Sequence, residues 1–261
     1  MIKLIASDLD GTLLLNGAQS LNPGTTDLIH ELTGQGRIFV AASGRQYANL
    51  QRLFAGVEKE IAYICENGAL VMYRDEVVEK HIIDREIGQE ILEAIMEREG
   101  SEALLSGVNT SYIQPKEMSY AAHMKNVVKN NVTIVEDILK TEEPYLKISV
   151  YEKAGVSRSE DYWKARFADR MTVVTSGNAW LDFMPKGVHK GTAIRSLMKK
   201  LGISPDEALA IGDNYNDLEM LGEVSYSFAM EKAPADIRSK CRFETSYVEK
   251  TLREILGGKY D

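Results

Sequence analysis

The segment Ile2-Lys3-Leu4-Ile5-Ala6-Ser7-Asp8-Leu9-Asp10-Gly11-Thr12 runs a short apolar stretch into two carboxylates one residue apart, followed by a glycine. Ile2 to Ser7 reads as a buried strand, and Gly11 as the turn that ends it. Alternate side chains of extended backbone share a face, so Asp8 and Asp10 can converge on one point. Two convergent carboxylates repel each other unless a cation or a shared proton separates them. Such a pair suits Mg²⁺, which takes one or two carboxylates and leaves its other positions to water and phosphate oxygen. It equally suits an aspartate nucleophile beside a second carboxyl that handles protons.

Outward from this segment, strand and helix signals alternate. Arg37 to Ser43 and Ile61 to Cys65 read as further apolar strands, with helices from Asn22-Pro23 to Gly34 and from Gln46 to Ala55. Asn22 offers a cap and Pro23 a first-turn residue for the first of these. From Lys190 the pattern returns: a helix to about Leu201, a strand from Ala208 to Ile211, a helix to about Leu221, a strand from Val224 to Ala229, and closing helices at Ala233–Lys240 and Val248–Leu256. Strands alternating with helices of this length imply parallel pairing and right-handed crossovers. The middle differs. Leu70 to Ile83 reads as a hairpin and Arg85 to Arg98 as an amphipathic helix. Strand-like pieces follow at Ala103–Ile113, Leu146–Tyr151 and Met171–Ser176, separated by helical pieces at Glu117–Val128 and Ser159–Ala168. The fold class expected is α/β, with a Rossmann-like parallel-sheet core built from residues 1–81 and 186–261 and an inserted α+β domain over 82–185.

Composition narrows the function. The 261 residues are 44% hydrophobic and 27% charged, enough apolar material for a sizeable core. A net charge of −8 argues against a nucleic-acid-coating protein, which needs a basic face. Two distant cysteines, Cys65 and Cys241, read as isolated thiols of a reducing compartment. No stretch has the length and apolarity of a membrane span, and no signal peptide is evident, so the expected address is the cytoplasm.

Three further segments belong with the opening pair, each at a strand's carboxyl end or a helix mouth, where open α/β sheets bind ligands. Ser43-Gly44-Arg45 offers a hydroxyl and amide donors for a phosphate oxygen. Lys190, after His189, opens a helix, where a cation opposes the dipole unless it faces an anion. Gly212-Asp213-Asn214-Tyr215-Asn216-Asp217 supplies polar ligands that could complete a metal sphere begun by Asp8 and Asp10.

Together, in this order, these segments resemble the haloacid dehalogenase superfamily of phosphatases. Asn67-Gly68-Ala69, the position of the insertion, and Met230-Glu231-Lys232-Ala233-Pro234 look like its Cof-type sugar-phosphatase subfamily with a C2-type cap. The resemblance implies a phosphatase acting on a small phosphorylated metabolite, with Mg²⁺ as cofactor and neither nucleic acid nor membrane as partner. It implies Asp8 as nucleophile and Asp10 as general acid and base, oriented by Thr12. Asp8, Asp10 (through its backbone carbonyl), Asp213 and Asp217 fall at metal positions. Thr12, Ser43, Gly44, Arg45, Lys190 and Asn216 fall at phosphate and substrate positions. A phosphomutase, a nucleotide or cofactor phosphatase, and a non-catalytic phospho-ligand sensor are the alternatives. In this family the cap contacts the non-phosphate part of the substrate, and His123, Lys147, Asn178 and Asp182 are the polar candidates there, while Trp180 and Phe183 read as core.

Overall fold

The computed structural model describes residues 1–260, which form two compact units: 1–79 with 189–260, and 80–188. The first unit is built on a sheet of eight strands in the order β14-β13-β12-β1-β2-β3-β4-β5. Its first three strands in sequence are β1 (Leu4–Asp8), β2 (Ile38–Ala42) and β3 (Ala62–Cys65), and the hairpin pair β4 (Leu70–Tyr73) and β5 (Glu76–Lys80) follows. The late strands are β12 (Ala208–Gly212), β13 (Tyr226–Met230) and β14 (Phe243–Thr245). From β14 to β3 all pairings are parallel, and only β4 reverses against β3.

Strands covered on both faces need continuous apolar sequence. Every residue of β1, of β3 and of β12 is buried. Helices α1 (Thr25–Gly34), α2 (Tyr47–Leu53), α6 (Lys190–Leu201), α7 (Leu218–Gly222), α8 (Ala235–Arg238) and α9 (Val248–Leu256) make the crossovers and the chain's end. The expected cap at Asn22 does not form. Gly24 takes the N-cap position of α1 at φ +83°, and the Asn22 side chain instead donates to the Glu249 carboxylate of α9 at 2.9 Å.

The second unit carries a six-stranded sheet in the order β10-β11-β9-β6-β7-β8. These are β6 (Glu102–Ser106), β7 (Ser111–Ile113), β8 (Val132–Ile134), β9 (Lys147–Tyr151), β10 (Met171–Thr175) and β11 (Trp180–Pro185). Helices α3 (Arg85–Glu97) and α5 (Glu160–Phe167) bury Ile91, Leu92, Ile95, Trp163 and Phe167 in one core with Ala103, Leu105, Ile148, Val150, Leu181 and Phe183. The alternate residue Leu104 joins a second cluster with Ile113, Tyr120 and Met124. The helix expected over Glu117–Val128 divides into α4 (Met118–His123) and a π-helical turn at Met124–Val128.

Candidate active site

Parallel register brings four loops to one edge of the first sheet. Asp8 pairs with Ala42, Ser7 with Ile211, and Ala42 with Ile64. Asp8 therefore ends β1 beside the loops that leave β2 at Ser43, β3 at Glu66 and β12 at Asp213. This is the carboxyl edge at which α/β sheets hold ligands.

Lys190 organises what lies there. His189 caps α6 by accepting the Thr192 N–H on Nδ1, while the Thr192 hydroxyl accepts the His189 N–H, a reciprocal pair that starts the helix at Lys190. The lysine side chain is fully buried and donates to Asp8 Oδ1 at 2.5 Å and to Asp217 Oδ1 at 2.7 Å. The anions that offset its unfavourable place at a helix start are these two carboxylates. Asp217 uses its other oxygen to accept the backbone N–H groups of Asp213 and Asn214, at 3.0 and 3.1 Å. That contact folds the GDNYND loop back on itself and aims Asp213 at the site.

Gly11 makes the approach possible. It turns at φ +100°, and a Cβ there would stand 2.3 Å from a carboxylate oxygen of Asp213. Thr12 Oγ1 donates to Asp213 Oδ1 at 2.8 Å. Thr12 thus orients Asp213, and the bond expected between Thr12 and Asp10 is replaced by this one. Asp8, Asp213 and Asp217 each present an oxygen within 4.8 Å of the others.

Electrostatics in this cluster are unbalanced, because three carboxylates share one ammonium. Burial raises the Asp8 pKa well above that of an ordinary aspartate, Asp217 adds to the rise, and Lys190 offsets only part of it. Burial also raises Asp213; the Thr12 hydroxyl opposes this and Asp217 reinforces it. Burial alone would lower Lys190, but the attraction of Asp217 and Asp8 outweighs it and holds the ammonium charged. The donors are hard carboxylate oxygens around uncompensated negative charge, so the residues fit a divalent cation of the Mg²⁺ kind.

Asp10 lies apart from the cluster. The strand ends at Asp8 and the chain turns before Asp10, so the alternation that would aim both carboxylates one way does not apply. The Asp10 carboxylate, 55% exposed, takes the Arg45 guanidinium on both oxygens, at 2.8 and 2.5 Å. Ser43 and Gly44 precede α2 by a few residues, and Gln46 occupies its N-cap position. The Ser43 hydroxyl accepts the Arg45 N–H at 3.2 Å, which shapes a tight turn. Asn216 donates its amide to Asn67 Oδ1 at 3.4 Å. In the sequence Asn67 stands out as part of Asn67-Gly68-Ala69, which carries the subfamily resemblance, but its contact with Asn216 has no signal in residue spacing.

The four polar candidates in the second unit separate. Lys147 and Asp182 form a buried pair at 3.4 Å, and Ser149 donates to Asp182 at 2.6 Å. His123 stacks on Tyr151 at 5.0 Å between centroids and lines a cavity of about 500 Å³ within residues 100–153. Burial and Lys153 together lower its pKa. Asn178 is exposed and accepts the Val156 N–H at 2.9 Å, a loop contact. Phe183 is core, while Trp180 is only partly buried and packs on the second cluster.

An acid cluster only partly offset by a single buried lysine stands at the carboxyl edge of a parallel α/β sheet, an arrangement suited to a hydrolytic enzyme. The chain belongs to the haloacid dehalogenase-like hydrolases, whose family match spans residues 5–251. It is 29% identical over 246 residues to the 5-amino-6-(5-phospho-D-ribitylamino)uracil phosphatase of Escherichia coli (strain K12), covering 93% of this chain and 90% of that protein. It is 26% identical over 246 residues to the HMP-PP phosphatase of Serratia proteamaculans (strain 568), covering 92% and 87%. A solved haloacid dehalogenase-like hydrolase from Bacteroides thetaiotaomicron superposes with a TM-score of 0.85 at 22% identity, covering 98% of this chain and all of that one. The phosphatases of this family are the enzymes to which the chain is assigned. Among the described residues, no helix is long and apolar enough to cross a membrane.

Proposed function

We propose that this chain is a Mg²⁺-dependent phosphatase of small phosphate monoesters, sugar phosphates among them, and that Asp8 becomes transiently phosphorylated. The observation that carries the reading is the contact of Lys190 with Asp8 and Asp217 beside Asp213, which leaves a buried carboxylate facing uncompensated charge. In this reading residues 82–185 are the C2-type cap domain and residues 1–81 and 186–261 the catalytic core domain. The names of the two phosphatase relatives support a small phosphorylated metabolite as substrate.

Asp8, Asp213 and Asp217, with the Asp10 carbonyl, are the residues that would hold Mg²⁺. When bound, the ion neutralises charge on the transferring phosphoryl group. An oxygen of Asp8 attacks phosphorus, the P–O bond to the alcohol breaks, and the leaving oxygen takes a proton from Asp10. Asp10 then removes a proton from water, which attacks the phosphoaspartate, releasing inorganic phosphate and the free Asp8 carboxylate. Lys190, Ser43 and the Gly44 amide hold the phosphoryl oxygens, and Asn216 positions the substrate. Transfer of this kind is catalysed chiefly by alignment and charge neutralisation. Arg45 pairs with Asp10 before substrate arrives. An incoming phosphate competes for that guanidinium and frees the Asp10 carboxyl for its proton work.

The test is phosphate release from p-nitrophenyl phosphate and a panel of sugar phosphates, with and without Mg²⁺, together with mass spectrometry of the quenched enzyme. Mg²⁺-dependent release and a phosphate adduct on the peptide containing Asp8 are expected. Turnover that survives Asp8→Asn would remove the nucleophile assignment.

A further inference from the structure

We propose that Asn67 is a positioning residue for the phosphoryl-holding loop, its side-chain amide bracing Ser43-Gly44 against Asn216. The proposal rests on the phosphatase reading of the site above. Its first support is local strain. Glu66, Asn67 and Gly68 follow β3 and take three successive positive φ angles, +49°, +56° and +109°. Glycine adopts this region freely and asparagine tolerates it, but a glutamate there is unfavourable. All three residues are buried. Strain of this sort persists only where the surroundings impose it, and it gathers at working sites.

The surroundings here are three of the segments that make up the candidate site. The Asn67 N–H donates to the Ser43 carbonyl at 3.0 Å, and the Glu66 N–H to the Arg45 carbonyl at 3.1 Å. A Cβ on Gly68 would stand 2.6 Å from the His189 carbonyl oxygen, so the turn lies directly against the start of the helix that carries Lys190. The Asn67 side chain reaches the other way. Its Oδ1 accepts from Asn216 Nδ2 at 3.4 Å, and the same amide lies 3.1 Å from where a Gly44 Cβ would be. One turn therefore sets the spacing between the Ser43-Gly44-Arg45 loop, the lysine and the GDNYND loop.

A turn that served only to reverse the chain would need positive φ and nothing else, and glycine supplies that best. The asparagine adds an amide, and substitution separates the two contributions. Asn67→Gly keeps the backbone and deletes the amide. Asn67→Ala deletes the amide and also resists positive φ. For Asn67→Gly the expected result is a wild-type melting temperature with kcat/KM on p-nitrophenyl phosphate lowered at least about tenfold, the scale on which small misplacements of reacting groups register. Asn67→Ala should show the same kinetic loss together with a lower melting temperature. In a double-mutant cycle with Asn216→Ala, the pair should lose less than the product of the single losses, because both variants break the same contact. If Asn67→Gly matches an active wild type, or the cycle is strictly multiplicative, Asn67 is a turn residue only and the phosphatase reading stands untouched. If the wild type releases no phosphate from any ester, both proposals fall together.

Discussion

The two units each bury a lysine against aspartate, and the two sites are built on opposite terms. Lys147 meets one aspartate, Asp182, at 3.4 Å, with the Ser149 hydroxyl completing the contact. Lys190 meets Asp8 and Asp217 at 2.5 and 2.7 Å while a third carboxylate, Asp213, sits alongside. The first contact joins one cation to one anion. In the second, burial and mutual repulsion push Asp8 and Asp213 above the ordinary aspartate range. A protein gains no stability by concentrating uncompensated charge in its interior. The imbalance suits the proposed reaction, whereas a single ion pair suits a structural role in a sheet.

The largest expected effect breaks the comparison at its catalytic end. Asp8→Asn should lower kcat by about 10⁴-fold or more, the scale of losing a nucleophile, while circular dichroism and the melting curve stay near wild type. A residual rate within tenfold of wild type would mean that the unbalanced cluster is not where the bond is made. Lys190→Met comes next. It should lower kcat/KM by about 10²–10³-fold, the cost of one well-placed charge on the transferring group. It should also destabilise the metal-free protein by about 3–5 kcal/mol, because buried carboxylates lose their counter-ion. Denaturant melts with and without Mg²⁺ read the second effect.

Metal and pH sharpen the comparison further. The folded-state pKa values of Asp8 and Asp213 lie above the reference value of 3.8. Their contribution to stability is therefore complete below that reference and is lost as pH rises through the raised values. The metal-free protein should lose melting temperature as pH rises above the ordinary aspartate range. A cation that binds the ionised carboxylates offsets this, so the rise in melting temperature at saturating Mg²⁺ should grow over the same interval. At a hundredfold excess over Kd, linkage gives about 2.7 kcal/mol. A gain independent of pH would show that Mg²⁺ binds elsewhere.

How much of this was open to reading from residues alone varies by element. β1 and β12 could be seen because strands with both faces covered must be continuously apolar, and each ends in the acids that matter. The loops after β1, β2 and β12 could be placed on one edge because parallel strands share a carboxyl end. β8 and β14, at three residues each, are too short for any period to show. β11 shows no signal in the sequence because Asp182 interrupts its apolar run, and that buried acid meets Lys147 and Ser149. Within the site, Thr12 bonding to Asp213 and Arg45 bonding to Asp10 join residues 201 and 35 positions apart. Neither partner choice follows from spacing, since each depends on where the turn after β1 releases its side chains. The left-handed backbone of Glu66 and Asn67 is hidden for the same reason, since nothing in Asn67-Gly68-Ala69 marks the residue before it as left-handed.

The smallest effect tests the balanced pair itself. Lys147→Met alone leaves Asp182 buried with a charge that only Ser149 and its remaining neighbours address, and it should cost about 3 kcal/mol. Lys147→Met combined with Asp182→Asn removes both charges, yet leaves an acceptor for the Ser149 hydroxyl. A buried ion pair is generally worth little more than a well-packed neutral replacement, so the double variant should melt within about 1 kcal/mol of wild type. Equilibrium urea unfolding of the two variants beside wild type gives the answer. If the double variant is as damaged as the single one, the pair does more than balance charge, and the contrast between the two lysines narrows. If it recovers, the same chemical pair has been used once for architecture, and the lysine among three acids stands as the exception that the architecture carries.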